Sequence, residues 1–132
     1  MHRDISNTHP YSKYIGKKVY LYEAVCLYRS GKGRSTFSEF RIKPLSIKNT
    51  NSCKKNYSPE EKDEPIEVLS LGTEIMVIKA MQEREPGGYN WDFIIGSVHS
   101  KSLKQEIEFE YLLHLPNESG LMPWLLTQPF NK

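Results

Sequence analysis

The stretch Gln105 to Leu115, "QEIEFEYLLHL", constrains the fold more than any other part of the chain. Ile107, Phe109, Tyr111, Leu113 and Leu115 share one phase, and Glu106, Glu108 and Glu110 share the other. Alternation with period two is strand chemistry, because successive side chains of a strand point to opposite faces of the sheet. One face is expected to be core and the other wet. The three carboxylates then line a solvated face, with Lys79, Lys101 or Lys104 as ordinary cross-strand partners. Nothing identifiable in the sequence would bury them and raise a pKa, so the row does not suggest acid–base catalysis or cation binding.

Other segments read the same way. In "KKVYLYEAVCLY", Lys17 to Tyr28, both phases are substantially apolar, which predicts one strand covered on two sides for part of its length. "STFSEFRI" adds Phe37, Phe40 and Ile42 before Pro44 ends the regular signal. "PIEVLSLGTEIMVIKAMQ" makes a tight step at Leu71-Gly72-Thr73 and then runs apolar on both phases through Ile75, Met76, Val77 and Ile78, the pattern of a central strand. After a turn at "REPGGYN", "WDFIIGSV" sets Trp91, Phe93, Ile95 and Ser97 in one phase. That phase suits Trp91 to the core, while its place beside the Tyr89-Asn90 turn also makes it a candidate contact residue.

The glycine-rich basic stretch "LYRSGKGRSTF", Leu27 to Phe37, raises the question of a phosphate loop. The required spacing is G-x-x-x-x-G-K-[ST] feeding into a helix, and Gly31-Lys32-Gly33-Arg34-Ser35 fails it. Strand formers follow. Gly31 and Gly33 fit a β-hairpin connection that needs positive φ, with Lys32 and Arg34 solvated at its tip.

The chain has 132 residues, a length that fits one domain because halves would be too small to bury a self-sufficient core. Formal net charge is +2 from 18 basic and 16 acidic residues, far from the dense positive field of non-specific nucleic-acid binders. No apolar run approaches the ~20 residues of a membrane helix. Residues 1–13 are polar and expected to be a flexible lead into a domain spanning 14–132. Two histories fit them: a cytoplasmic protein, or an exported, periplasmic or lipid-anchored domain after signal removal. Residues 48–65, which include "NTNSCKKNYSPEEKDEP", read as a long polar loop.

Cys26 and Cys53 could close one disulfide, worth roughly 3–4 kcal/mol if unstrained, or remain two thiols; two cysteines do not discriminate. His2, His9, His99 and His114 are scattered without the short paired spacing of a metal site, and no cofactor or metal is expected. There is no G-x-S-x-G elbow and no histidine near either cysteine in sequence, so the reading is non-enzymatic. A pocket joining His99 or His114 to Cys26 or Asp92 would reverse it. The C-terminal "SGLMPWLLTQPFNK" is apolar for a tail; it either docks as a closing segment or edge strand, or offers Trp124 and its neighbours to a partner.

Together these segments predict a mostly β fold, a single small antiparallel barrel or strongly bent sheet with a docked C-terminal segment. "LSLGTEIMVIKA", "WDFIIGSV" and "IEFEYLLHL", with their turns, resemble the layout of bacterial SH3-like small barrels over about Ile66 to Leu115. That resemblance implies binding of peptides, cell-wall fragments or partner proteins, and several small periplasmic proteins of this shape serve as immunity or assembly factors. It implies no catalytic residues. The expected function is a non-enzymatic protein-binding module, with an exported inhibitor, immunity or accessory protein as its finer form and a cell-wall glycan binder and a small enzyme as alternatives. The expected contact residues are Arg29, Lys32, Arg34, Tyr89, Trp91 and Trp124, since loops on a rigid sheet carry function.

Overall fold

The computed structural model describes residues 2–31, 37–44, 63–88, 90–113 and 122–129. They form one nine-stranded sheet: β1 (His2–Asp4), β2 (Lys18–Leu21), β3 (Val25–Arg29), β4 (Phe40–Pro44), β5 (Glu64–Leu69), β6 (Glu74–Arg84), β7 (Asn90–Ser100), β8 (Gln105–Leu113) and β9 (Trp124–Leu125). Among the described residues the only helical element is a 3-10 turn at Tyr11–Lys13. The sheet order is β5-β3-β4-β8-β7-β6-β2-β9, with β1 beside β2 along the same edge of β6.

Two short connections force this sheet to curl. Residues 22–24 join β2, seventh in the order, to β3, which is second; residues 70–73 join β5, first, to β6, sixth. Five strand spacings on a flat sheet would be about 24 Å. The links from Leu21 to Val25 and from Leu69 to Glu74 can reach only about 13–18 Å. The sheet therefore bends into a strongly curled half-barrel, as expected for a bent sheet. Gly72, at φ 88°, makes the second of these turns, and its N–H and the Thr73 carbonyl pair with Leu21.

The meander β6-β7-β8 is antiparallel, as the alternation predicts, but its junction with β3-β4-β5 is not. β4 and β8 run parallel, with Phe40 opposite Phe109 and Arg41 opposite Glu110. The run read as one strand from Lys17 to Tyr28 is two, β2 and β3, which lie far apart in the sheet. Val19 and Leu21 on β2 and Val25 and Leu27 on β3 fall in one phase and are all buried, so the core-facing phase crosses the break without a step; of the other phase only Cys26 is buried. Residues read as a flexible lead supply β1, and Ile5 and Tyr11 are buried. The chain leaves the β6 edge after β1, where Ile5 N–H donates to Ala80 O, and returns where Gly16 N–H donates to Val77 O. Of the polar loop, Glu64 and Pro65 belong to β5; residues 45–62 lie outside the described set.

The core face carries Val19, Leu21, Val25, Leu27, Ile42, Ile75, Val77, Ala80, Ile94, Val98 and Phe109. Strand β7 thus enters the core with the phase of Ile94 and Val98, opposite to the one that contains Trp91. Phe93 and Ile95 are buried too, on the other face of the sheet.

Candidate functional site

The base of the β3–β4 connection carries a dense set of polar contacts. The two strands pair antiparallel, Arg29 opposite Phe40, and Ser30 N–H continues the ladder to Glu39 O at 2.7 Å. This is a hairpin, with no helix at Phe37–Pro44 to make a phosphate loop. Residues 32–36, and with them Lys32 and Arg34, lie outside the described set.

Each end of that connection is tied to a buried carboxylate. On the β3 side, Asp63 Oδ1 accepts the Gly31 N–H at 3.0 Å, and Asp63 Oδ2 meets Lys43 Nζ at 3.0 Å. On the β4 side, Glu110 Oε1 accepts the N–H groups of Phe37 and Ser38, both at 2.8 Å. Glu110 Oε2 accepts from Arg41 Nε at 3.1 Å and lies 3.1 Å from Nη2 in the same ion pair. Glu110 is fully buried. A buried carboxylate is tolerated only when its lone pairs are filled and a cation is close, and both conditions are met here. Burial pushes the Asp63 carboxyl up, but the Gly31 N–H, Lys43 and Arg41 outweigh it and hold the group below its ordinary value.

Glu110 is a correction to the wet face expected for Glu106, Glu108 and Glu110. The first two are exposed. The third is covered because β4 joins β8 in parallel at that residue and lays the segment from Phe37 to Phe40 over it. Phe37 completes the cover, its ring 5.1 Å from that of Phe93 and 4.6 Å from His2.

The other expected contact residues are dispersed. Arg29 lies at the hairpin base, 3.7 Å from Glu39 and 3.9 Å from Glu64, with its guanidinium 5.3 Å from the Phe40 ring centre. Trp91 is half-buried on β7 opposite Glu83. Tyr89 lies outside the described residues. Trp124 is buried, 1% exposed, its ring 5.8 Å from Tyr111, so it closes the core and is not offered to a partner. The apolar tail docks through β9 against β2, and among its described residues the exposed large apolar side chains are Leu125 and Leu126. Cys26 is buried on β3 and disulfide-bonded; Cys53 lies outside the described residues.

His99 and Asp92 sit in separate depressions. His99 lines a groove with Lys18, Glu74, Lys101 and Glu106, while Asp92 lines a cleft with Arg3, His9, Tyr11 and Gln82. His114 lies outside the described residues. Among the described residues no cluster of three or more His, Cys, Asp or Glu could hold a metal ion.

Asp63, Lys43, Arg41 and Glu110 were missed as a set. Asp63 reads as one more acid in "EEKDE" and Glu110 as one more outward glutamate, and local sequence carries no signal of the parallel join that buries the second. Comparison of the chain with protein-family models, curated proteins and solved structures finds no match.

Proposed function

We propose that the chain is a non-enzymatic protein-binding module that meets an acidic partner through its β3–β4 hairpin. The observation that carries this reading is the double anchoring of the connection, Gly31 by Asp63 and Phe37 with Ser38 by Glu110. Burying a charge is expensive, and here two are buried to fix the ends of a segment whose sequence is basic. Loops positioned by a rigid sheet are where recognition concentrates, and pre-ordering a loop lowers the entropy lost on binding. Arg29 stands at its base, and Lys32 and Arg34 lie within it by sequence. The resemblance of Ile66 to Leu115 to SH3-like small barrels supports the same class, with an exported inhibitor, immunity or accessory role as its finer form.

The test is co-purification with the full chain, run beside the double variant Lys32→Glu, Arg34→Glu. A protein retained by the wild type should be lost or associate markedly more slowly with the variant, the difference shrinking as salt rises. Equal retention would place the interface elsewhere. Recovery of cell-wall glycan without any protein would replace the reading with the glycan-binding alternative.

A further inference from the structure

We propose that the cleft between β1, the Ile5–Tyr11 segment and Asp92 binds a small zwitterion, a free amino acid or dipeptide, with the ammonium on Asp92 and the carboxylate on Arg3. The cleft has a volume of about 410 Å³, within the ~300–1,000 Å³ of small-molecule sites. Its residues have the opposite phase to His2 and Phe93, on which the hairpin's Phe37 packs, and its ligand is independent of the protein-binding reading.

Strand pairing builds the site. Arg3 on β1 lies opposite Gln82 on β6, which lies opposite Asp92 on β7, so the three form one row across neighbouring strands. Gln82 and Asp92 share the phase of Ala80 and Ile94, which places the row at the end of the core face. Charge along it runs positive, neutral, negative.

Asp92 is 7% exposed, and among the described residues its oxygens accept from neutral donors alone: Tyr11 Oη to Oδ2 at 2.5 Å, and Gln82 Nε2 to Oδ1 at 2.9 Å. Among the described residues no cation lies within ion-pair distance of it, unlike Asp63 and Glu110, which each have one. A carboxylate has room for about four hydrogen bonds, so the two donors leave it able to accept an ammonium. The phenol of Tyr11 is held well above its ordinary pKa, first by burial and then by Asp92, so it stays a donor at neutral pH.

Arg3 is exposed at the same cleft, and among the described residues it has no anionic partner. A bare cation entering the cleft would meet Arg3, and a bare anion would meet Asp92. A ligand carrying both charges satisfies each wall. Ile5, Pro10 and the Tyr11 ring add an apolar lining that suits an aliphatic side chain.

The experiment titrates the full chain with L-leucine and glycyl-L-leucine, and with N-acetyl-leucine and leucinamide, which lack one charge each, by calorimetry and amide NMR. At least one free zwitterion should bind about tenfold or more tightly than either capped compound. Amide shifts should fall on Arg3, Thr8, Tyr11, Gln82 and Asp92. Arg3→Gln, at an exposed position that leaves the fold intact, should erase the preference for leucine or glycyl-leucine over leucinamide. Asp92→Asn should abolish binding; should it unfold the chain, the Arg3 variant still decides. Absence of binding at millimolar concentration, capped compounds binding as well as the zwitterions, or an unchanged preference in the Arg3 variant overturns the proposal.

Discussion

Glu110 on β8 and Arg41 on β4 stand opposite each other at the parallel join of the sheet, and Glu110 Oε2 accepts a hydrogen bond from Arg41 Nε at 3.1 Å while lying 3.1 Å from Nη2. The pair sits where the β3-β4-β5 group meets the β6-β7-β8 meander. A slip of one residue would turn Arg41 to the other face and leave the Glu110 carboxylate buried without its cation, so the pair defines the register of the junction.

Removing one partner should therefore cost far more than removing both. Glu110→Ala or Arg41→Ala alone is expected to destabilise by about 3–5 kcal/mol, since each removes the other's ion-pair partner at a buried position. The apolar pair Glu110→Leu, Arg41→Met should recover much of that loss. Recovery should stop short of wild type by about 1–3 kcal/mol, because the Phe37 and Ser38 N–H groups lose their acceptor. Urea unfolding of the wild type, the single variants Glu110→Leu and Arg41→Met and their double variant closes the cycle and measures the coupling, with the alanine singles run beside them. Additive losses would mean that the two side chains do not act as a pair.

Asp63 predicts a pH dependence with a definite sign. Its folded-state pKa lies below the ordinary 3.8, so the folded chain holds the carboxylate more tightly in its charged form than the unfolded chain does. The stability this confers is fully present above about pH 4 and is lost as pH falls through the lower, folded-state value. Asp63→Asn should flatten that acidic limb of the stability curve. It should also speed exchange of the Gly31 amide, which donates to Oδ1. An acidic limb identical in wild type and variant would show that Asp63 does not contribute to it.

What could be read from sequence was what local chemistry determines. The alternation in β8, the tight step at Gly72 and the turn at Pro86-Gly87-Gly88 each appear where the pattern put them, because side-chain period and positive φ are properties of a few adjacent residues. The phase of β7 was not legible. Phe93 and Ile95 are as apolar as Ile94 and Val98, and both sets are buried, so hydrophobicity could not choose the core face. The break at Tyr22–Ala24 was hidden for a similar reason, as Val19 and Leu21 on β2 are buried in the same phase as Val25 and Leu27 on β3, and the two strands join without a visible step. The roles of Glu110 and Asp63 depend on contacts with residues 69 to 73 and 20 to 32 positions away, which no local window contains.

The last prediction concerns Gly96, at the middle of β7 between Val77 and Phe109. A Cβ at this position would lie 2.7 Å from Phe109 Cζ and 2.9 Å from the Met76 carbonyl oxygen, so the glycine is what allows the phenyl ring to lie across the strand. Phe109 is fully buried and opposite Phe40 at the parallel join, which leaves the ring little room to withdraw. Gly96→Ala is therefore expected to cost about 1–3 kcal/mol by overpacking, even though alanine is otherwise the better strand residue. Adding Phe109→Leu removes the ring but not the carbonyl. The double variant should thus show a smaller penalty for Gly96→Ala, measured against Phe109→Leu alone, without that penalty reaching zero. An alanine variant with the wild-type unfolding midpoint would show that the ring is not held against the backbone of β7.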